Sequence, residues 1–139
     1  MVTDDKYITL KHSKFFGRIP ESDLIALAES MSIEQFDAGE YICRVGDIAD
    51  RVFVIKSGEI DIHLTDKKKP IRTMVAGDVI GEYGMFTNEA RSANILCKTN
   101  ATLMTLEYYR FEAFLELFPN TTYELFKQTV QRLIAVEQK

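Results

Sequence analysis

The residues best equipped for chemistry lie in one segment: Gly81-Glu82-Tyr83-Gly84 and, nine positions after Glu82, Arg91-Ser92-Ala93. Glycines bounding a short turn let backbone N–H groups converge on one concavity, which binds an anion without the help of side chains. An arginine at the far end of the loop adds a planar, permanently charged fork matched to phosphate oxygens. Glu82 cannot serve the same phosphate, because like charges repel. Its carboxylate suits hydroxyl donors such as those of a sugar. A phosphate and a diol held side by side describe a nucleotide.

Other chemistries fit less well. Ser92 has no GxSxG elbow around it and no histidine near it in sequence, so strand initiation accounts for it better than nucleophilic attack. His12 and His63 are the only histidines and stand 51 positions apart, where a metal enzyme would cluster its ligands. His63 reads as the polar side of a strand. Gly81-Glu82-Tyr83-Gly84 matches the GxxG of an RNA-binding loop in form, but those loops lie between helices and carry basic residues. For Arg91 and Glu82 the plainer account is an ion pair at the two ends of a loop that holds no ligand.

Three regions must position this segment. Residues 1–31 read as helical: Pro20 suits a first helical turn, Glu21 and Asp23 favour its positive end, and Leu24, Leu27, Ala28 and Met31 recur at helical spacing. Phe15, Phe16 and Ile19 are apolar enough to dock this region on something larger. Residues 32–106 change to short β-like runs: Tyr41-Ile42-Cys43, Val52 to Ile55, Ile60 to Leu64, Ile71 to Val75, Ile95 to Cys97 and Leu103 to Leu106. Ile60, Ile62 and Leu64 alternate with Asp61 and His63, as in a strand with one buried face. Gly39, Gly46, Gly58 and Gly77 punctuate the runs where positive φ is expected. Lys67-Lys68-Lys69-Pro70 reads as a solvated hairpin tip. Residues 107–139 return to helix: Tyr109, Phe111, Phe114, Leu115 and Phe118 stop at Pro119. A second helix then starts near Asn120 or Thr121, with Leu125, Phe126, Val130, Leu133 and Val136 on one face. The expectation is a single domain that is mainly β with flanking helices, its strands forming a sandwich or closed barrel.

The 139 residues suffice for one ordinary core, and a net charge of −4 gives no bulk field for nucleic acid or an anionic membrane. No apolar run acts as a signal peptide or spans a bilayer. Cys43 and Cys97 lack metal-site spacing and read as core hydrophobes in a reducing compartment, which places the protein in the cytoplasm.

The loop resembles the phosphate-binding cassette of cyclic nucleotide-binding domains. Gly81-Glu82-Tyr83-Gly84 with Arg91-Ser92-Ala93 is especially similar to the bacterial catabolite activators, and Ala38-Gly39-Glu40, Val45-Gly46-Asp47, Ser57-Gly58-Glu59 and Ala76-Gly77-Asp78 repeat the family's glycine turns. The likeness runs from about Phe15 to the C-terminus. It implies a jelly-roll β-barrel with a helical lid and no catalytic residue, metal or cofactor beyond the ligand, which is cAMP in preference to cGMP. By position, Glu82 would accept from the ribose 2′-hydroxyl and Arg91 would bind the cyclic phosphate. Gly81, Tyr83 and Gly84 would present backbone groups, and Ser92 would add a donor. The lid positions that cap the base in catabolite activators are Val136 and Glu137 here, without hydroxyls. The sequence read ends at Lys139 without the family's helix-turn-helix, so no direct nucleic-acid binding and no membrane insertion are expected. Partners would be the cyclic nucleotide and either a second copy, through the apolar stripe of the last helix, or an effector protein. Three rivals stand beside this reading: a barrel without ligand serving as an interaction or dimerisation module, a metal-dependent barrel enzyme, and a regulatory piece of a longer protein.

Overall fold

A computed structural model describes residues 4–64 and 69–137. Lys67 and Lys68 of the expected hairpin tip lie outside them. Helices α1 (Asp4–Lys11) and α2 (Glu21–Glu29) lead into β1 (Ser32–Phe36), β2 (Tyr41–Cys43), β3 (Arg51–Ser57), β4 (Ile60–His63), β5 (Arg72–Met74) and β6 (Val79–Ile80). The short helix α3 (Gly84–Thr87), strands β7 (Asn94–Cys97) and β8 (Ala101–Glu107), and helices α4 (Tyr108–Leu117) and α5 (Pro119–Glu137) complete the chain.

The strands form two antiparallel four-stranded sheets, ordered β1-β8-β3-β6 and β2-β7-β4-β5, in a jelly roll. Strands β3 and β8 make the spine of the first sheet, with Phe53 opposite Thr105 and Val54 opposite Met104. Both faces of this pair are covered, so its side chains are buried without alternation. Phe53, Ile55 and Leu103 face the second sheet and meet Cys43, Ile60, Met74, Ile95 and Cys97. Val52, Val54, Met104 and Leu106 turn the other way, against Leu10, Phe15, Phe16, Leu24, Leu27, Phe111 and Phe114 of the helical layer. Each such burial stabilises the fold by about 1.5–3 kcal/mol. Cys43 and Cys97 are free and buried.

The expected elements form, with differences at their ends. Strands β1 and β6 were not among the runs named from the sequence: β1 pairs with β8 at the sheet edge, and β6 is two residues long. Pro20 sits one position before α2, with ψ at 147°, because the chain enters the helix from an extended segment. Helix α5 begins at Pro119 rather than at Asn120 or Thr121. The fixed φ of proline opens a helix well, and the Thr121 hydroxyl bonds Asp23 of α2 instead of capping. The expected apolar stripe of α5 is exposed except at Leu125, with Phe126 at 65% and Leu133 at 59%.

Two clamps fix the loop between β6 and β7. Just ahead of β6, the buried Asp78 accepts from the Val75 N–H at 2.8 Å and lies 2.7 Å from Lys14 Nζ. Burial alone would raise the Asp78 pKa, but the bonds from Lys14 and Val75 outweigh it and hold it below the usual carboxylate range. The Asp78 carbonyl accepts from Ile55 N, and the Gly77 N–H donates to Ile55 O, which bolts this turn to β3. At the other end, Arg91 N donates to Asp47 O at 2.8 Å, and Gly46 N donates to Arg91 O at 2.9 Å.

Candidate functional site

Between the clamps the chain turns sharply at Gly81, whose φ is +85°. A methyl group there would lie 2.5 Å from Arg91 Nη1 and 3.1 Å from the Arg51 carbonyl. The guanidinium therefore occupies the space that a side chain at Gly81 would need. It donates from Nη2 to Arg51 O at 2.7 Å, with its carbon 5.7 Å from the centre of the Phe53 ring. An arginine has five N–H donors, so this anchor leaves others for an oxyanion. Placing alanine at Gly81 would force a left-handed residue, costing about 1–2 kcal/mol, and would push the guanidinium off its anchor. Gly81→Ala is expected to lower the thermal midpoint by roughly 3–8 °C at this chain length, a shift that a melting curve reads.

Gly81, Arg91 and Gly84 come together, while Glu82 opens elsewhere. Arg91 lines a hollow of about 610 Å³ with Cys43, Asp47, Asp50, Arg51 and Phe53. Glu82 lines a second one, of about 450 Å³, with Lys14, Arg72, Asp78 and Arg132. The guanidinium and the carboxylate thus line neighbouring but different hollows on the two sides of the Gly81 turn. Burial raises the Glu82 pKa, and its own backbone N–H, Arg132 and Arg72 offset only part of that rise.

Tyr83 uses its side chain as well as its backbone. Its ring packs edge-on to Phe15 with centroids 6.0 Å apart, and its hydroxyl accepts from Arg132 Nη1 at 3.0 Å. Gly84 N donates to Gly81 O at 3.3 Å and opens α3. Ser92 is exposed just ahead of β7. The sequence reading missed Arg72, Arg132 and Tyr108. Arg132 lies two turns after Leu125 on the domain-facing side of α5, among apolar residues that alone drew attention. Tyr108 joins an aromatic run that reads as core. A polar residue inside an otherwise apolar face was the signal available for it.

The structure thus joins a jelly roll to a glycine turn that seats an arginine, with a half-buried carboxylate next in the chain. The chain belongs to the cyclic nucleotide-binding domain family, whose model matches residues 33–117. A cGMP-dependent protein kinase of Plasmodium berghei is 30% identical over 115 residues, covering 83% of this chain and 13% of the kinase. A cAMP-dependent protein kinase regulatory subunit of Emericella nidulans is 29% identical over 80 residues, covering 58% of this chain and 19% of that subunit. The chain thus spans less than a fifth of the length of these relatives. Among solved structures, the N-terminal domain of a Streptomyces coelicolor transcriptional regulator superposes with a TM-score of 0.85 at 22% identity, covering 94% of this chain and 95% of the other. The regulatory subunit of a cAMP-independent protein kinase A from Trypanosoma brucei gives 0.74 at 25% identity, covering 96% and 50%. No helix among the described residues is long and apolar enough to cross a membrane.

Proposed function

We propose that this domain binds a cyclic nucleotide at the Gly81 turn, performs no chemistry on it, and converts its presence into movement of α5. The observation that carries the reading is the Arg91 guanidinium seated against a positive-φ glycine, with Glu82 next in the chain. In this reading Arg91 takes the phosphate, helped by Ser92 and by backbone groups of Gly81, Tyr83 and Gly84, and Glu82 takes the ribose 2′-hydroxyl. The two charged groups line different hollows, and in this reading the ligand draws the 81–91 loop inward until both reach it. Ligand shifts such an equilibrium only by its differential affinity for the closed state.

The sequence alone favoured cAMP, whereas the surroundings of Glu82 support cGMP. Arg72 and Arg132 line the same hollow, and guanidinium groups only donate. Guanine offers O6 and N7 as two acceptors on one edge; adenine offers N7 beside an N6 donor. With Asp78 of the same hollow engaged by Lys14 and the Val75 N–H, a base reaching it from a ribose held by Glu82 would meet donors that suit the guanine edge. Calorimetry with cGMP, cAMP and 2′-deoxy-cAMP tests ligand and base together, the expected order being cGMP tightest. At a hundred times Kd, cGMP should stabilise the fold by about 2.7 kcal/mol.

The exposed side chains of α5 favour a second reading, in which Phe126, Val130 and Leu133 pair with a second copy. No heat from any nucleotide, together with a concentration-dependent mass in sedimentation, would decide for that interaction module alone.

A further inference from the structure

Tyr108 is the first residue of α4, and the cassette closes around its hydroxyl. The hydroxyl donates to Gly81 O at 2.8 Å, the carbonyl that also accepts from Gly84 N. The backbone N–H of Tyr108 donates to Asp50 O at 2.8 Å, one residue before the carbonyl that anchors Arg91. A methyl group on Gly84 would overlap the phenol oxygen and lie 3.3 Å from Cζ. Gly84 does not have a positive φ, so backbone strain does not explain a glycine there. The space taken by the phenol does.

We propose that Tyr108 is a positioning residue of the ligand cassette: its hydroxyl holds the Gly81 carbonyl in place, and its seat against Gly84 makes the first turn of α4 follow the cassette. The inference rests on the reading that the cassette binds a cyclic nucleotide. It assigns Gly84 a purpose separate from ligand contact, namely to admit the phenol. It also gives the loop a direct mechanical link to α4, one that runs through a single oxygen atom. When ligand phosphate engages Arg91 and the Gly81 turn moves, the Tyr108 bond must lengthen or carry α4 with it.

A double-mutant cycle on the full chain tests this, with cGMP and cAMP titrated by calorimetry into wild type, Tyr108→Phe, Gly84→Ala and the double variant. Tyr108→Phe keeps the ring and loses one hydrogen bond, so affinity should fall about fivefold. Gly84→Ala in the wild-type background should cost about tenfold or more, because the new methyl displaces the hydroxyl. In the phenylalanine background the same methyl meets only the ring edge, and its further cost should be under about threefold. Hydrogen exchange supplies a readout that packing alone would not move. Saturating ligand should change exchange at the first turn of α4 in wild type and leave it unchanged in Tyr108→Phe and in Gly84→Ala. Should either variant fail to fold, the other carries both measurements. Additive effects with an intact α4 response overturn the inference while leaving ligand binding standing. A wild-type protein that binds neither nucleotide overturns both.

Discussion

Arg91→Ala is expected to lose roughly two to three and a half orders of magnitude of cyclic nucleotide affinity while remaining folded. Removing one member of a desolvated charge pair costs about 3–5 kcal/mol, and each tenfold in affinity is about 1.4 kcal/mol. The guanidinium is already ordered by its bond to Arg51 O at 2.7 Å and by the ring of Phe53, so little entropy remains to be lost when phosphate arrives. The cost to the fold is smaller. The variant leaves the Arg51 carbonyl without this donor, worth about 1 kcal/mol, against a typical domain stability of about 5–15 kcal/mol. Arg91→Lys separates charge from geometry. A lysine keeps the cation but cannot bond the Arg51 carbonyl and present a planar fork together, so it should fall between, near tenfold. Calorimetry reads the affinities and thermal melting verifies the fold. Equal cyclic nucleotide affinity in wild type and Arg91→Ala would remove Arg91 from the site and leave the turn without its phosphate partner.

What the sequence disclosed and what it hid follow from how far each interaction reaches along the chain. Strand β3 is visible because Val52-Phe53-Val54-Ile55 is an unbroken apolar run, and it is unbroken because one sheet and a helical layer cover its two faces. Strand β1 escaped naming because Ser32–Phe36 lies at an edge, with Ser32, Ile33 and Gln35 all exposed. The cassette itself is local and legible: turn glycine, carboxylate and arginine fall within eleven residues. Its supports are not local. Tyr108 reaches Gly81 across 27 positions, Arg132 reaches Tyr83 across 49, and Arg91 reaches the Arg51 carbonyl across 40. The packing of α4 and α5 brings the first two pairs together, and the backbone clamp of Arg91 on Asp47 and Gly46 brings the third; no periodicity encodes either. Glu82 and Arg91 line different hollows because the loop folds back and seats Arg91 against Gly81 and the Arg51 carbonyl. Spacing in the sequence carries no information about that.

Glu82 should make ribose recognition sensitive to acid, and in the opposite sense to its effect on the fold. Burial raises its pKa above the usual glutamate value, with its own N–H, Arg132 and Arg72 only partly compensating. A group whose folded pKa is raised binds more proton in the native state than in the unfolded chain. Its contribution to stability is therefore fully present below the unfolded pKa and is lost as pH rises through the folded one. Ligand binding runs the other way. The charged carboxylate is the strong acceptor for the 2′-hydroxyl, a bond worth about 1.5–3 kcal/mol, and protonation weakens it. As pH falls through the raised Glu82 pKa, affinity for a ribonucleotide should drop by roughly 10–150-fold. Affinity for the 2′-deoxy analogue should stay nearly flat, and the two curves should converge at low pH. Glu82→Gln should reproduce the converged state at every pH and discriminate weakly between ribose and deoxyribose. Calorimetric titrations of cAMP and 2′-deoxy-cAMP across the weakly acidic range, on wild type and Glu82→Gln, measure all of these. Parallel pH profiles for the two ligands would show that the carboxylate faces something other than the sugar. The acidic and basic residues sharing its hollow would then be an ion-pair network of the fold alone.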